Sequence, residues 1–281
     1  MELEDFVDGL GFAEAPRWHE GRLWVSDIIA RRVLRIDPRT GQVDTVFETP
    51  GEPSGLGWLP DGSLLVVQMA EHEVLRWHRG SLSRHGSTTP FSRVRLNDMV
   101  VDARGRAWAS NLGFDYEREP PCPTHLVGLT PAGEAHAAAS GLWCPNGMAI
   151  SPGGDRLYVG QSAAPELLEF PILPDGSLGA PAVFARLPAG VACDGLCLDV
   201  EEALWIASPT TCEFLRISRG GAISARVPTG PRPAIACVLG GEERRTLFGI
   251  TAATTSLHAA SGTREGRIGR LRVDVPGAGI P

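Results

Sequence analysis

No apolar run in this chain approaches about 18 residues, so no segment reads as a membrane-spanning helix. The first residues, MELEDFVDGL, are acidic and lack the apolar core of a secretion signal, which predicts a cytoplasmic protein. A basic patch is also missing. The net charge is -7, and the arginines at Arg31–Arg32 and Arg244–Arg245 are isolated pairs, which argues against a nucleic-acid partner. Paired cysteine motifs are absent. The six cysteines are Cys122, Cys144, Cys193, Cys197, Cys212 and Cys237, and the pair Cys193 and Cys197 has no second pair at zinc-finger spacing. In a cytosolic chain of this length they read as reduced, small, buried apolar residues.

The common catalytic signatures are missing as well. There is no G-x-S-x-G elbow for a serine nucleophile. There is no G-x-x-x-x-G-K, and no strand-to-helix G-x-G-x-x-G, to cradle a phosphate. His19–Glu20 lacks the second histidine of a zinc-protease helix. The remaining histidines (His72, His78, His85, His125, His136 and His258) show no metal-ligand spacing. Helical periodicity is nearly absent too.

What the chain has instead is a repeat. A short strand-like segment recurs as RLWVSD from Arg22, SLLVVQ from Ser63, RAWASN from Arg106, RLYVGQ from Arg156, ALWIAS from Ala203 and TLFGIT from Thr246. The steps between starts are 41, 43, 50, 47 and 43 residues. Another strand and a turn precede each copy, as in SGLGWLPDG and NGMAISPGG, whose Pro and Gly supply hairpin dihedrals. A third strand follows, as in VLRIDPRTG or FLRISRGG, and often a weaker fourth. Six units of four short antiparallel strands at this period predict an all-β, six-bladed β-propeller, one domain over residues 1–281. The N-terminal segment is expected to add a strand to the last blade and close the ring, removing its free edges.

Aligning the repeats on their inner strands exposes one position. Blade by blade it holds Glu14, Ser54, Asn97, Asn146, Asp194 and Ile235, at steps of 40, 43, 49, 48 and 41. Four of these six carry a carboxylate or a carboxamide. Equivalent inner-strand positions of a propeller stand at one height around the axis, so the four are expected to converge at the channel mouth. Two carboxylates that close repel, and burial raises their pKa values, unless a cation lies between them. A set of oxygens without Cys or His suits a hard divalent ion, Ca²⁺ first, with Mg²⁺ or Mn²⁺ as alternatives, and carboxylates also accept Zn²⁺. Few protein ligands leave room for water and a reactant.

The segments FAEAPRW (12–18), RLNDMVVD (95–102), CPNGMAIS (144–151) and CDGLCLD (193–199) together resemble the SMP-30/gluconolactonase/LRE family. The likeness runs through nearly the whole chain. It implies one divalent cation held by Glu14, Asn146 and Asp194, with Asp194 also the general base, and Arg95 and Asn97 contacting the substrate. It also implies hydrolysis of a small lactone or cyclic ester. Two departures stand out. Many members read E-G-P where this chain has Glu14-Ala15-Pro16. The stretch NLGFDYEREPPCPTH (111–125) reads as a loop over the channel mouth, with Phe114 and Tyr116 giving a less polar wall than a sugar lactone wants. Trp143 and Cys144 are further candidate wall residues, and Asp98 is expected to anchor a loop. Two other readings share the same pocket: a metal-dependent isomerase or cyclase, and a non-catalytic propeller binding Ca²⁺ or a metabolite.

Overall fold

The computed structural model describes residues 1–280. Six antiparallel sheets form a ring of blades, the expected propeller. The innermost strands of blades one to six are Ala13–His19, Pro53–Trp58, Leu96–Val101, Pro145–Ile150, Leu196–Asp199 and Ala234–Gly240. Each packs beside the next, and Ala234–Gly240 packs beside Ala13–His19, which completes the circle. The N-terminal strand Glu4–Leu10 pairs with Gly266–Arg272 as the outer strand of blade six. Residues from both ends of the chain thus share one sheet, as expected.

Burial grades outward along each blade. The second strand of blade two, Leu64–Gln68, is buried throughout, whereas the outer strand of blade one, Val43–Glu48, has no buried residue. The reason is that inner strands are covered on both faces by neighbouring blades, so they read as apolar runs rather than alternating ones. The turns follow from their residues. At Pro60-Asp61-Gly62 the glycine takes φ 80° and the Asp61 carboxylate accepts from the Ser63 amide at 2.9 Å, which reverses the chain into Leu64–Gln68.

The two ends of the central channel differ. The candidate ligands stand near the starts of the inner strands. At the other end the chain's last described residues form a plug. Gly277–Ala278 runs as a fifth strand beside Leu196–Asp199. Ile280 and Ile150 exchange backbone hydrogen bonds at 3.1 and 2.6 Å. Between the ends lies the Arg17 guanidinium, which donates to the Leu56 carbonyl at 2.9 Å, the Met99 carbonyl at 2.8 Å and the Asp98 carboxylate. It ties three inner strands together. Among the described residues the one α-helix is the single turn Leu257–Ala260, and no helix is long and apolar enough to cross a membrane.

Candidate metal centre and active site

The side chains of Glu14, Asn97, Asn146 and Asp194 come from blades one, three, four and five, and all four line one cavity of about 480 Å³ at the open mouth. Ser54 and Ile235, the remaining members of the aligned position, are buried and do not line it. Backbone packing brings Asn146 and Asp194 to the axis. A Cβ on Gly147 would stand 2.6 Å from the Asp194 carbonyl oxygen, and one on Gly195 would stand 2.5 Å from the Ala236 Cβ. Only glycine allows the inner strands of blades four, five and six to approach this closely. That is the physical content of the N-G and D-G pairs in the sequence.

Backbone strain is concentrated beside the same residues. Ala15, Val94 and Cys144 have φ of 48°, 66° and 51°, a region that non-glycine residues seldom occupy. At Ala15 the unusual turn has a visible effect: the Ala15 amide donates back to the Glu14 carboxylate at 2.7 Å.

The electrostatics are those of two acids without a counter-charge. Glu14 lies well above the ordinary carboxylate range, through burial first and then through the charge of Asp194. Asp194 is raised to about 8, again by burial first, with Asp98 adding to the rise and the Asn146 amide opposing it. The cation that does lie near, Arg17, is spent on Asp98. Asn146 is oriented by Ser162, whose hydroxyl accepts from Asn146 Nδ2 at 3.0 Å and donates to the Cys193 carbonyl at 2.8 Å. A buried and a half-buried carboxylate and two carboxamides lining one space, with no cationic side chain among the lining residues, fit a hard divalent cation. The donor set has too few acids, and no histidine, to resemble a zinc site of the His-rich kind.

Cys144 also lines the cavity, but burial and the charge of Asp194 push its thiol up to about 12. A thiol so raised supplies no thiolate nucleophile near neutral pH. Trp143 is 38% exposed and lies outside the cavity lining. Arg95 is also absent from the lining, and its guanidinium is paired with Glu52. Asp98 anchors Arg17 in the channel rather than a loop. Phe114 and Tyr116 do line the cavity. Their segment leaves blade three and reaches blade six, where Tyr116 Oη donates to the Thr255 carbonyl at 3.1 Å and the Ser256 hydroxyl donates to the Glu117 carboxylate. Blades three and six stand opposite each other in a ring of six, so this loop spans the mouth as anticipated.

A second ring of lining residues escaped the sequence reading. Ile28, Met69, Leu112, Ser162 and Pro209 each follow the last residue of a second strand, and all five line the cavity. They recur at the period of the repeat itself, so the signal was present.

The fold and the site together define a six-bladed propeller whose open mouth holds a pocket lined by two acids and two carboxamides. The chain belongs to the SMP-30/gluconolactonase/LRE-like family, whose model matches residues 12–254. It is 30% identical to a 6-deoxy-6-sulfogluconolactonase of Pseudomonas putida over 95% of this chain and 93% of that one. It is 29% identical to a pentonolactonase of Haloferax volcanii over 69% of this chain and 65% of the relative. In fold it resembles a calcium-binding regucalcin of Agrobacterium tumefaciens, with a TM-score of 0.80, 18% identity, and coverage of 100% of this chain and 97% of the other.

Proposed function

We propose that this protein is a divalent-metal-dependent hydrolase that opens a small lactone. The observation that carries the reading is the convergence of Glu14, Asn97, Asn146 and Asp194, from four blades, on one cavity whose acids have no cationic partner. The lactonase names of two relatives support it. Glu14, Asn146 and Asp194 would hold the ion, with Ca²⁺ as the first choice. When bound, the ion supplies Lewis acidity toward the lactone carbonyl.

The chain's own residues do the rest. Asp194 accepts a proton from water at a carboxylate oxygen as the water oxygen bonds to the carbonyl carbon. The ring C–O bond then breaks, and the departing ring oxygen takes up that proton, giving a hydroxy acid. Asn97, buried and facing the cavity, orients the ring by its amide. Arg95 stands outside the cavity beside Glu52, so it would reach substrate only by leaving that ion pair.

The test combines binding with turnover. Asp194→Ala is expected to abolish calorimetric Ca²⁺ binding and to lower kcat for lactone opening by about a thousandfold or more. In isotopically labelled water the wild-type product should carry one solvent oxygen. Full turnover by metal-free protein, or a product without that oxygen, would refute the mechanism.

A further inference from the structure

Most of the residues that line the cavity are apolar. Six side chains, Phe12, Ile28, Met69, Leu112, Phe114 and Leu257, form a wall drawn from blades six, one, two and three. The acidic pole, Glu14 and Asp194 with Asn97 and Asn146, draws on blades one, three, four and five, and Ala163, Ala192 and Pro209 add apolar surface from the loops of blades four and five. The chain contains no lysine, and no arginine or histidine is among the lining residues. Away from the proposed ion, an anionic substituent would therefore meet no cationic side chain.

A polyhydroxylated substrate would fare little better. Three of the four side-chain hydroxyls that line the cavity already donate within the protein. Ser162 donates to the Cys193 carbonyl at 2.8 Å, Thr210 donates to the Gly190 carbonyl at 2.7 Å, and Tyr116 donates to the Thr255 carbonyl at 3.1 Å. Thr255 lies exposed at the rim. Sugar hydroxyls laid against the wall would give up water and find no partner, at a cost of roughly tenfold in binding for each.

We infer that this site takes a neutral lactone carrying an apolar alkyl or aryl substituent, with the lactone ring at the acidic pole and the substituent against the wall. The inference rests on the reading of the site as a lactone-opening centre and extends it to a substrate class. It sets this chain apart from relatives named for sulfonated or sugar lactones.

The experiment has two arms on the full chain loaded with Ca²⁺. In the first, kcat/KM is measured for γ-butyrolactone bearing hydrogen, butyl, hexyl or phenyl, and for glucono-δ-lactone. In the second, calorimetry measures binding of five-membered lactams with the same substituents, which resist hydrolysis. Burying each methylene is expected to raise both kcat/KM and lactam affinity roughly fourfold until the wall is covered. Lactam binding should carry a negative heat-capacity change, and glucono-δ-lactone should fall at least about a hundredfold below the hexyl lactone. Leu257→Ser, at a half-buried position on the short helix, should reduce the gain per methylene in both arms. Flat lactam affinity, or preference for glucono-δ-lactone, overturns the substrate class while leaving lactone opening intact. Lactam affinity that climbs with chain length, without turnover of any lactone, supports the apolar ligand and overturns the hydrolase reading.

Discussion

Three buried or half-buried acids stand near the axis of this propeller, and they are treated in two ways. Asp98 is 5% exposed and is held by Arg17, which is itself buried and bonded to backbone carbonyls of neighbouring blades. Glu14 and Asp194 face the open cavity, and no cationic side chain faces them. The first arrangement is a finished structural strut. The second leaves two acids side by side, both raised by burial, and the proposed ion would complete it. The same distinction separates the two channel ends, one plugged by the segment around Ile280, the other left open.

The largest effect is expected where the finished pair is broken. Arg17→Met leaves Asp98 buried without its counter-charge and removes hydrogen bonds to Leu56 and Met99. Breaking a buried pair from one side costs about 3–5 kcal/mol, which for a chain of this size lowers Tm by roughly 10 °C. Adding Asp98→Asn to that variant should recover part of the loss, since it neutralises the stranded acid. Thermal melts of both variants check this. An Arg17→Met protein as stable as wild type would mean that the pair contributes nothing, and the contrast between the acids would dissolve.

A smaller effect tests the open pair. Asp194 is raised to about 8 in the folded protein, against about 3.9 in an unfolded chain. Between those values the native state retains a proton that the unfolded state has lost, so this contribution to stability is full below about pH 4 and is lost as pH rises through about 8. Metal-free protein should therefore lose several degrees of Tm between pH 5 and pH 8 relative to Asp194→Asn. Ca²⁺ at about a hundred times its dissociation constant should add about 2.7 kcal/mol and remove most of that slope. A slope identical in wild type and Asp194→Asn would show that the acid is already compensated from within.

The contrast also explains what could be read from the sequence. Repeat period and turn chemistry suffice for the propeller, because each blade is a local hairpin array with its own Pro and Gly punctuation. Register suffices for Glu14, Asn97, Asn146 and Asp194, because symmetry converts equal position into equal height. Arg17 was invisible, since its partners lie 39 and 81 residues away and in different blades. Arg95 follows sequence logic two residues before Asn97, yet Glu52 from the preceding blade draws it off the cavity. The ring Ile28, Met69, Leu112, Ser162 and Pro209 shares the repeat period, but varied chemistry at one position hides it from a search for like residues.

The smallest effect concerns the turn that presents Glu14. Ala15 holds φ 48° and is 1% exposed, in contact with the cluster that contains Trp24 and Leu56. A left-handed conformation costs an alanine about 1–2 kcal/mol, so glycine would relieve it. Glycine would also give up about 0.8 kcal/mol of methyl burial and about 0.5–1 kcal/mol through the greater freedom of the unfolded chain. These terms nearly cancel. Ala15→Gly should therefore move Tm by less than about 3 °C and leave Ca²⁺ affinity within about threefold, because the amide that donates to Glu14 at 2.7 Å is retained. Ala15→Val is the informative partner: a β-branched residue resists positive φ, and turning that amide away should weaken Ca²⁺ binding at least tenfold. If valine bound the ion as well as alanine does, the backbone turn at Ala15 would have no part in holding the Glu14 carboxylate toward the axis.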